Sequence, residues 1–244
     1  MSVLLEAELL KLRTTRTFAA LVGAALALSL LVVGLTSALS DTLTRSDVNS
    51  LFAADFTGLF ILLLGIMGMA GEWRHRTITG TVLAAPWRLR LLGAKVLSYA
   101  AAGALLSLIV TVTIMLVGTV ILSIRGEVTP DAAKLVDILW RNLVVAALLG
   151  ALGVGIGGLI RNQVVAIVGT LAVSFVLEPT LFALVPEVAR FAPTQGAPSG
   201  IVQVDALGGT IDRLSAGVAV LVMLGWIALF FAAAGARLRR FDLV

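Results

Sequence analysis

The 244-residue sequence contains no cysteine and a single histidine, His75. The lack of cysteine excludes disulfide bonds and thiolate metal sites, and one histidine is too few for an imidazole metal cluster. No GxxxxGK(S/T) phosphate-binding loop occurs, so the chain has no P-loop of its own with which to use ATP. We therefore expect neither catalytic residues, nor a metal site, nor a cofactor held by this chain.

Charged residues are scarce as well, at 13% against 59% hydrophobic residues, with a mean hydropathy of +1.08. This balance predicts an integral membrane protein. Segments that reach the roughly 20 residues needed to cross a hydrocarbon core of about 30 Å are found near 18–39, 51–70, 96–122, 139–160, 164–185 and 214–236. Their lengths, without ten-residue alternation, predict an all-α bundle of six transmembrane helices that forms a single domain, residues 1–244.

The distribution of charge predicts the orientation of this bundle. Residues 71–95, which we call the basic segment, carry five cations and one acid, Glu72. Loops with such a bias stay on the cytoplasmic side of a membrane, and acids predominate at the other ends of the predicted spans. Both termini are therefore predicted to be cytoplasmic. The net charge of +4 reflects mainly this asymmetry and does not call for a nucleic-acid partner.

Residues 1–16, ahead of the first span, place Leu5, Leu9 and Leu12 on one helical face. Acids near the beginning and cations near the end of this stretch suit the helix dipole. We interpret it as an interfacial helix on the cytoplasmic leaflet. The first span exceeds the usual length of a signal-peptide core and is not followed by an Ala-x-Ala site, so we interpret it as a permanent helix.

Inside the basic segment, Thr77 is placed to cap a two-turn helix in which Ile78, Val82 and Ala85 recur on one face, and Pro86 ends it. A short helix with a small apolar ridge suits docking into a groove on another protein. An ordinary positive-inside loop with a frayed turn explains the spacing about equally well. Spacing alone leaves the two interpretations open.

The fourth span contains Gly150, Gly153 and Gly157, in which the second and third glycines form a small-xxx-small pair. Such faces let helix backbones approach closely in lipid. Packing within one subunit is the favoured interpretation, and a contact between subunits or a place on a substrate path are the alternatives.

Glu178 is the acid that the predicted spans place closest to the membrane interior, near the outer interface, and Pro179 follows it directly. Proline favours a break in the helix, after which a short apolar return element is expected within residues 178–213. We interpret Glu178 and Pro179 as residues of an extracellular gate. The alternative is an interfacial acid capped by neighbouring donors.

The order of residues in the basic segment resembles the intracellular coupling segment of bacterial type 2 ABC exporter permeases. The resemblance is carried by Gly71-Glu72-aromatic-Arg74, Thr77-Ile78, Thr81-Val82-Leu83, Pro86, an arginine pair and Lys95. The stretch ELLKLRTTRTF, residues 8–18, is similar to the amphipathic helix before their first span. The stretch FAPTQGA, residues 191–197, resembles their loop between the last two spans, where such permeases have short re-entrant helices.

This resemblance implies the permease subunit of an ATP-driven exporter in a bacterial cytoplasmic membrane, moving an amphipathic drug, peptide or lipid-like substrate. A separate P-loop ATPase would bind ATP and Mg, and a second permease copy or a paralogue would complete the path. The residues implied to couple to the ATPase are Glu72, Arg74, Arg76, Thr77, Ile78, Thr81, Val82 and Pro86. The alternatives are an ion-driven secondary transporter and a non-transporting membrane scaffold.

Overall fold

The structure, a computed structural model, describes residues 7, 8, 10, 16–39, 48, 52, 53, 55–74, 88–127, 129–160, 162–203 and 213–239. Regular structure within these ranges is helical. The helices are α1 (Arg16–Leu39), α2 (Thr57–Arg74), α3 (Arg88–Arg125), α4 (Ala132–Leu159), α5 (Gln163–Ala172), α6 (Glu178–Leu184), α7 (Pro186–Ala189), α8 (Gly196–Val202) and α9 (Ala216–Arg239). A π-helical turn, Val173–Leu177, joins α5 to α6, so that Gln163–Leu184 is one continuous helix. The all-α class is confirmed.

Five helices in the described ranges are long and apolar enough to cross a membrane: Thr17–Leu39, Leu89–Arg125, Ala132–Leu159, Gln163–Leu184 and Ala216–Leu238. Helix α2 is not among them, because Glu72 and Arg74 in its last turn lower the mean hydropathy of its 18 residues. A multi-pass membrane protein is therefore supported, and the count of six spans stays a prediction.

Helix α4 is the centre of the bundle and packs most extensively against α2, α3 and α9. Its stretch 150–158 is buried throughout. A Cβ atom on Gly153 would lie 2.2 Å from the carbonyl oxygen of Leu62 in α2, and one on Gly150 would lie 2.5 Å from that of Tyr99 in α3. Gly157 meets the carbonyl of Ile66 in the same way, at 2.6 Å. The three glycines therefore lie at contacts between helices of one chain.

Helix α3 begins at Arg88, eight residues before the predicted span, and its 38 residues rise about 57 Å. The helix extends this far because Leu91 and Leu92 are buried against the bundle, which stabilises two further turns.

Gly71–Arg74 of the basic segment belong to α2 and Arg88–Lys95 to α3. The predicted coupling helix, residues 77–85, lies outside the described residues. We call the end of the bundle that holds Arg74, Arg88 and Arg237 the basic end.

Candidate functional site

A buried ion pair network lies at the basic end. The ammonium nitrogen of Lys95 is 2.8 Å from Oε2 of Glu8 and 2.8 Å from Oε1 of Glu72. The side chain of Lys95 has no exposed surface, and those of Glu72 and Glu8 are 3% and 9% exposed. We call Glu8, Lys95 and Glu72 the ion triad.

The ion triad joins three separate elements of the chain. Glu72 lies in the last turn of α2, Lys95 lies two turns into α3, and Glu8 lies where Ala7, Glu8 and Leu10 are helical. Removing one partner of a buried ion pair leaves an uncompensated charge and costs about 3 to 5 kcal/mol. The triad therefore ties the ends of both helices that flank residues 75–87 to each other and to the N-terminal stretch.

An aromatic side chain closes the triad towards the bundle core. Tyr99 lies one turn after Lys95 on α3 and is buried. A Cβ atom on Gly68 of α2 would lie 1.7 Å from the Tyr99 hydroxyl oxygen, so only glycine leaves room for this ring. Covering the charges with an aromatic ring keeps water away from them and strengthens their attraction.

Two exposed arginines hold the connection between α4 and α5 at the same end. Arg74 Nη1 donates to Oε1 of Gln163 at 3.5 Å, and Arg237 Nη1 donates to the carbonyl oxygen of Leu159 at 2.5 Å. Asn162 caps α5, because its Oδ1 accepts from the backbone N–H groups of Val164 and Val165. The basic end is therefore fixed by charged side chains from α2, α3 and α9.

The structure separates the residues that the sequence predicts for coupling. The carboxylate of Glu72 is turned inward to Lys95, whereas Arg74 is exposed. The other members of the set, Arg76, Thr77, Ile78, Thr81, Val82 and Pro86, lie outside the described residues. Sequence reasoning missed the partnership of Lys95 with Glu8. Its signal is a lysine at the beginning of an apolar run in a chain with only three lysines.

A second polar cluster surrounds Asp55 at the beginning of α2. Asp55 Oδ1 accepts from the backbone N–H of Thr57 at 2.8 Å. Its Oδ2 accepts from the Ser107 hydroxyl and, at 3.1 Å, from the Thr111 hydroxyl of α3. Asn142 of α4 donates to the Thr111 oxygen at 3.2 Å. The carboxylate therefore connects α2, α3 and α4.

Asp55 lies two residues before α2, near the beginning of the predicted span 51–70. Ser107 and Thr111 lie near the middle of the long helix α3, and the side chain of Asp55 reaches them from the beginning of α2. The first N–H groups of α2 have no carbonyl partner within the helix, so side chains supply the acceptors. Asp55 accepts a hydrogen bond from the N–H of Thr57, and the Ser29 hydroxyl accepts one from the N–H of Phe56 at 3.2 Å.

At the end of the bundle opposite the basic end, Glu178 is held by the segment that follows α7. Its Oε1 accepts from the backbone N–H and the hydroxyl of Thr194, at 3.0 and 2.7 Å. Its Oε2 accepts from the N–H of Gln195 at 2.6 Å. Glu178 is only 1% exposed. We call Glu178, Thr194 and Gln195 the glutamate clasp.

The expected break of the helix at Pro179 is wrong. The helix runs through Pro179 to Leu184, and the chain turns at Val185 before α7 begins at Pro186. Proline is tolerated here because a π-helical turn, Val173–Leu177, directly precedes it and changes the hydrogen-bond register. The residues that follow form the short helices α7 and α8, and their position relative to a bilayer stays a prediction.

Two long helices also hold this segment. Trp226 of α9 donates from Nε1 to the carbonyl oxygen of Phe191 at 2.9 Å. Arg141 of α4 donates to the carbonyl oxygen of Ile201 at 2.8 Å and pairs with Asp137 at 2.7 Å. Residues 185–203, which we call the capping segment, are therefore attached to α4, α6 and α9.

Comparison with known protein families identifies the chain. No curated protein matches it closely enough to count as a relative. The sequence model of the family described as ABC-2 family transporter protein matches residues 4–177, which is more than half of the chain and includes α1 to α5 and the ion triad. This match agrees with the resemblance carried by the basic segment and with the apolar helices. The chain therefore belongs to the ABC-2 family of transporter proteins, as a membrane permease.

Proposed function

We propose that this permease is the membrane-spanning subunit of an ATP-driven exporter, with its basic end and both termini in the cytoplasm. Residues 1–244 would form one permease domain of six spans. These would be the five candidate helices and α2, which is the second of the six in chain order. ATP and Mg would be bound by a separate P-loop ATPase, since the sequence has no P-loop. Membership of the ABC-2 family supports this proposal.

The observation that carries the proposal is the position of the ion triad around residues 75–87. Glu72 precedes residue 75 by 3 positions, and Lys95 follows residue 87 by 8 positions. The ion pair between Glu72 and Lys95, at 2.8 Å, joins the two helix ends from which the segment leaves and to which it returns. A force applied to residues 75–87 would therefore displace α2 and α3 together.

The coupling helix, residues 77–85, would dock its ridge of Ile78 and Val82 into a groove of the ATPase. Closure of the ATPase on ATP would move this helix, and the ion triad would pass the motion to α2, α3 and the N-terminal helix. From α2 it would reach α4 through the contact at Gly153, which leaves little freedom because the backbones touch. Arg74 and Arg76 would face the ATPase.

A second copy of the chain, or a paralogue, would complete the translocation path. Support comes from the apolar residues that α5 turns outward, among them Val164, Val165 and Val168. An apolar path in the bilayer suits an amphipathic drug, peptide or lipid-like substrate. The membrane would be the cytoplasmic membrane of a bacterium, and Glu178 with Pro179 would shape the outer gate.

An ion-driven transporter would make Asp55 its central residue, because buried acids inside spans often mark ion paths. The geometry favours another role. Asp55 receives donors from the beginning of α2, where the helix dipole is positive, and this environment stabilises an anion and repels a bound cation. We therefore assign Asp55 to anchoring α2.

Co-purification of the tagged chain with the products of its neighbouring genes tests the proposal. We expect a P-loop ATPase in a fixed ratio to the permease. Ile78→Asp and Val82→Asp should each separate ATP hydrolysis from export, because a charge on the ridge prevents it from seating in an apolar groove. The measurement is the rate of ATP hydrolysis by the ATPase alone and in the reconstituted complex with the permease.

The matched control is Thr79→Asp, which places the same charge in the same segment but off the ridge. It should leave the ATPase rate within about twofold of the parent, since exposed substitutions usually change free energies by less than about 0.5 kcal/mol. Normal coupling in Ile78→Asp would contradict the coupling-helix assignment. Purification of the chain without any ATPase would contradict the exporter.

A further inference from the structure

The π-helical turn before Pro179 leaves one backbone carbonyl without its expected donor. In this turn Glu178 N–H donates to the carbonyl oxygen of Val173, five residues earlier. The same register would pair residue 179 with the carbonyl of Ser174. Pro179 has no N–H group, so the helix itself cannot supply this hydrogen bond.

The missing donor comes from the capping segment. The side-chain amide of Gln195 donates from Nε2 to the carbonyl oxygen of Ser174. The backbone N–H of the same residue donates to Glu178, and its neighbour Thr194 gives Glu178 two more hydrogen bonds. Two adjacent residues of the capping segment thus make four hydrogen bonds to one turn of the helix Gln163–Leu184.

These contacts depend on one another. All four donors are neutral groups on a segment of short helices, and the three acceptor atoms, two of Glu178 and the carbonyl oxygen of Ser174, belong to a long helix. If the segment moves by the length of a hydrogen bond, a buried carboxylate and a buried carbonyl lose their donors together. The contact is therefore either made or broken, which is the behaviour expected of a switching element.

We propose that Thr194 and Gln195 are a latch on Glu178 and the Ser174 carbonyl, which holds the outer end of the permease closed and is released when the path opens outward. This inference rests on the proposed function and deepens it, because it assigns the outer gate to a specific contact. Gln195 has a positioning role: it holds the capping segment against the helix and does not itself touch substrate.

The latch can be tested by thiol labelling, since the chain contains no cysteine. Ala192→Cys places a buried reporter in the capping segment, and Val188→Cys places a second reporter in α7 of the same segment, at a position that is already 59% exposed. Adding Gln195→Leu should raise the rate of maleimide labelling at position 192 about tenfold, the factor expected for the loss of one good hydrogen bond. The rate at position 188 should not change. An unchanged rate at position 192 would overturn the latch.

A second variant tests whether Gln195 holds the capping segment in place or only donates a hydrogen bond to the Ser174 carbonyl. Pro179→Ala restores an N–H group to the helix, which then supplies its own donor to Ser174 in either the α or the π register. In the double variant Pro179→Ala/Gln195→Leu we expect the melting temperature of the parent but the fast labelling of Gln195→Leu. If labelling also returns to the parent rate, Gln195 only satisfies the carbonyl and the latch is wrong.

The same reporters distinguish failure of the latch from failure of the exporter. In vesicles that hold the permease with its co-purified ATPase, ATP with orthovanadate should accelerate labelling at position 192 in the parent. Gln195→Leu should be fast with or without ATP. A parent rate that ignores ATP, in a complex that still hydrolyses ATP, overturns the release step and leaves the exporter standing. The absence of any ATPase from the purified complex overturns the exporter, and the effect of Gln195→Leu on the chain alone still measures the closed contact.

Discussion

The ion triad and the glutamate clasp each bury a glutamate at one end of the same bundle, and they satisfy it by different means. Glu72 and Glu8 share the ammonium group of Lys95, so full charges from three elements are joined. Glu178 receives hydrogen bonds from neutral groups of Thr194 and Gln195. Removing one partner of a buried ion pair costs about 3 to 5 kcal/mol, whereas one hydrogen bond from a neutral donor to a carboxylate contributes about 1.5 to 3 kcal/mol. The basic end is thus built to stay together and the opposite end to release.

The largest effect is expected from breaking the ion triad. Lys95→Met keeps the length of the side chain but leaves Glu8 and Glu72 buried without their shared cation. The free energy of unfolding should fall by about 3 to 5 kcal/mol. An SDS titration of the purified protein, followed by tryptophan fluorescence, measures this change.

Lys134→Met is the matched control for Lys95→Met. Lys134 pairs with Asp137 at 3.2 Å, but its side chain is 45% exposed, so the loss should stay below about 1 kcal/mol. Equal losses in the two variants would show that burial of the triad does not set its strength. The contrast between the two ends would then lose its physical basis.

A somewhat smaller effect is expected from the contact that links the two ends. Gly153→Ala puts a methyl group 2.2 Å from the Leu62 carbonyl oxygen, so α2 and α4 must separate. Overpacking of this kind costs about 2 to 3 kcal/mol. Gly169→Ala is the control, because no atom lies within 4 Å of its new methyl group, and it should be neutral or stabilising.

The same SDS titration measures the free energy of unfolding of Gly153→Ala and of its control, Gly169→Ala. In the ATPase complex, Gly153→Ala should also weaken the effect of ATP on labelling at position 192, because motion of α2 would no longer reach the far end. If Gly153→Ala has the same free energy of unfolding as the parent protein, the backbones of α2 and α4 are not in contact at Gly153.

The sequence predicts the long helices well, because runs of some 20 apolar residues have few alternatives in a membrane. It does not predict the partners of the charges. Glu8 and Lys95 are 87 positions apart, and their pairing depends on how α2, α3 and the N-terminal stretch pack. The partners of Asp55 are hidden for the same reason, since its hydrogen bonds to Ser107 and Thr111 depend on how α2 and α3 pack.

Local rules also fail at Pro179, where proline in a helix predicts a break. The helix continues because a π-helical turn shifts the register and because Gln195, 16 positions later, donates to the carbonyl that proline leaves unpaired. Neither the turn nor the distant donor is visible in a window around the proline. The similarity of residues 191–197 to a permease loop is the signal that points to this region.

The smallest of the expected effects tests the clasp itself. Glu178→Gln keeps the shape of the side chain but replaces an acceptor oxygen with an amide that faces the N–H of Gln195 or the N–H of Thr194. One hydrogen bond is lost and two donors oppose each other, so the free energy of unfolding should fall by about 1.5 kcal/mol. Glu187→Gln, on the exposed surface of α7, is the control and should change it by less than about 0.5 kcal/mol. The same SDS titration decides the outcome. A loss in Glu178→Gln as large as that in Lys95→Met would mean that the clasp is as hard to open as the triad, and that the outer end is not the part of the bundle built to release.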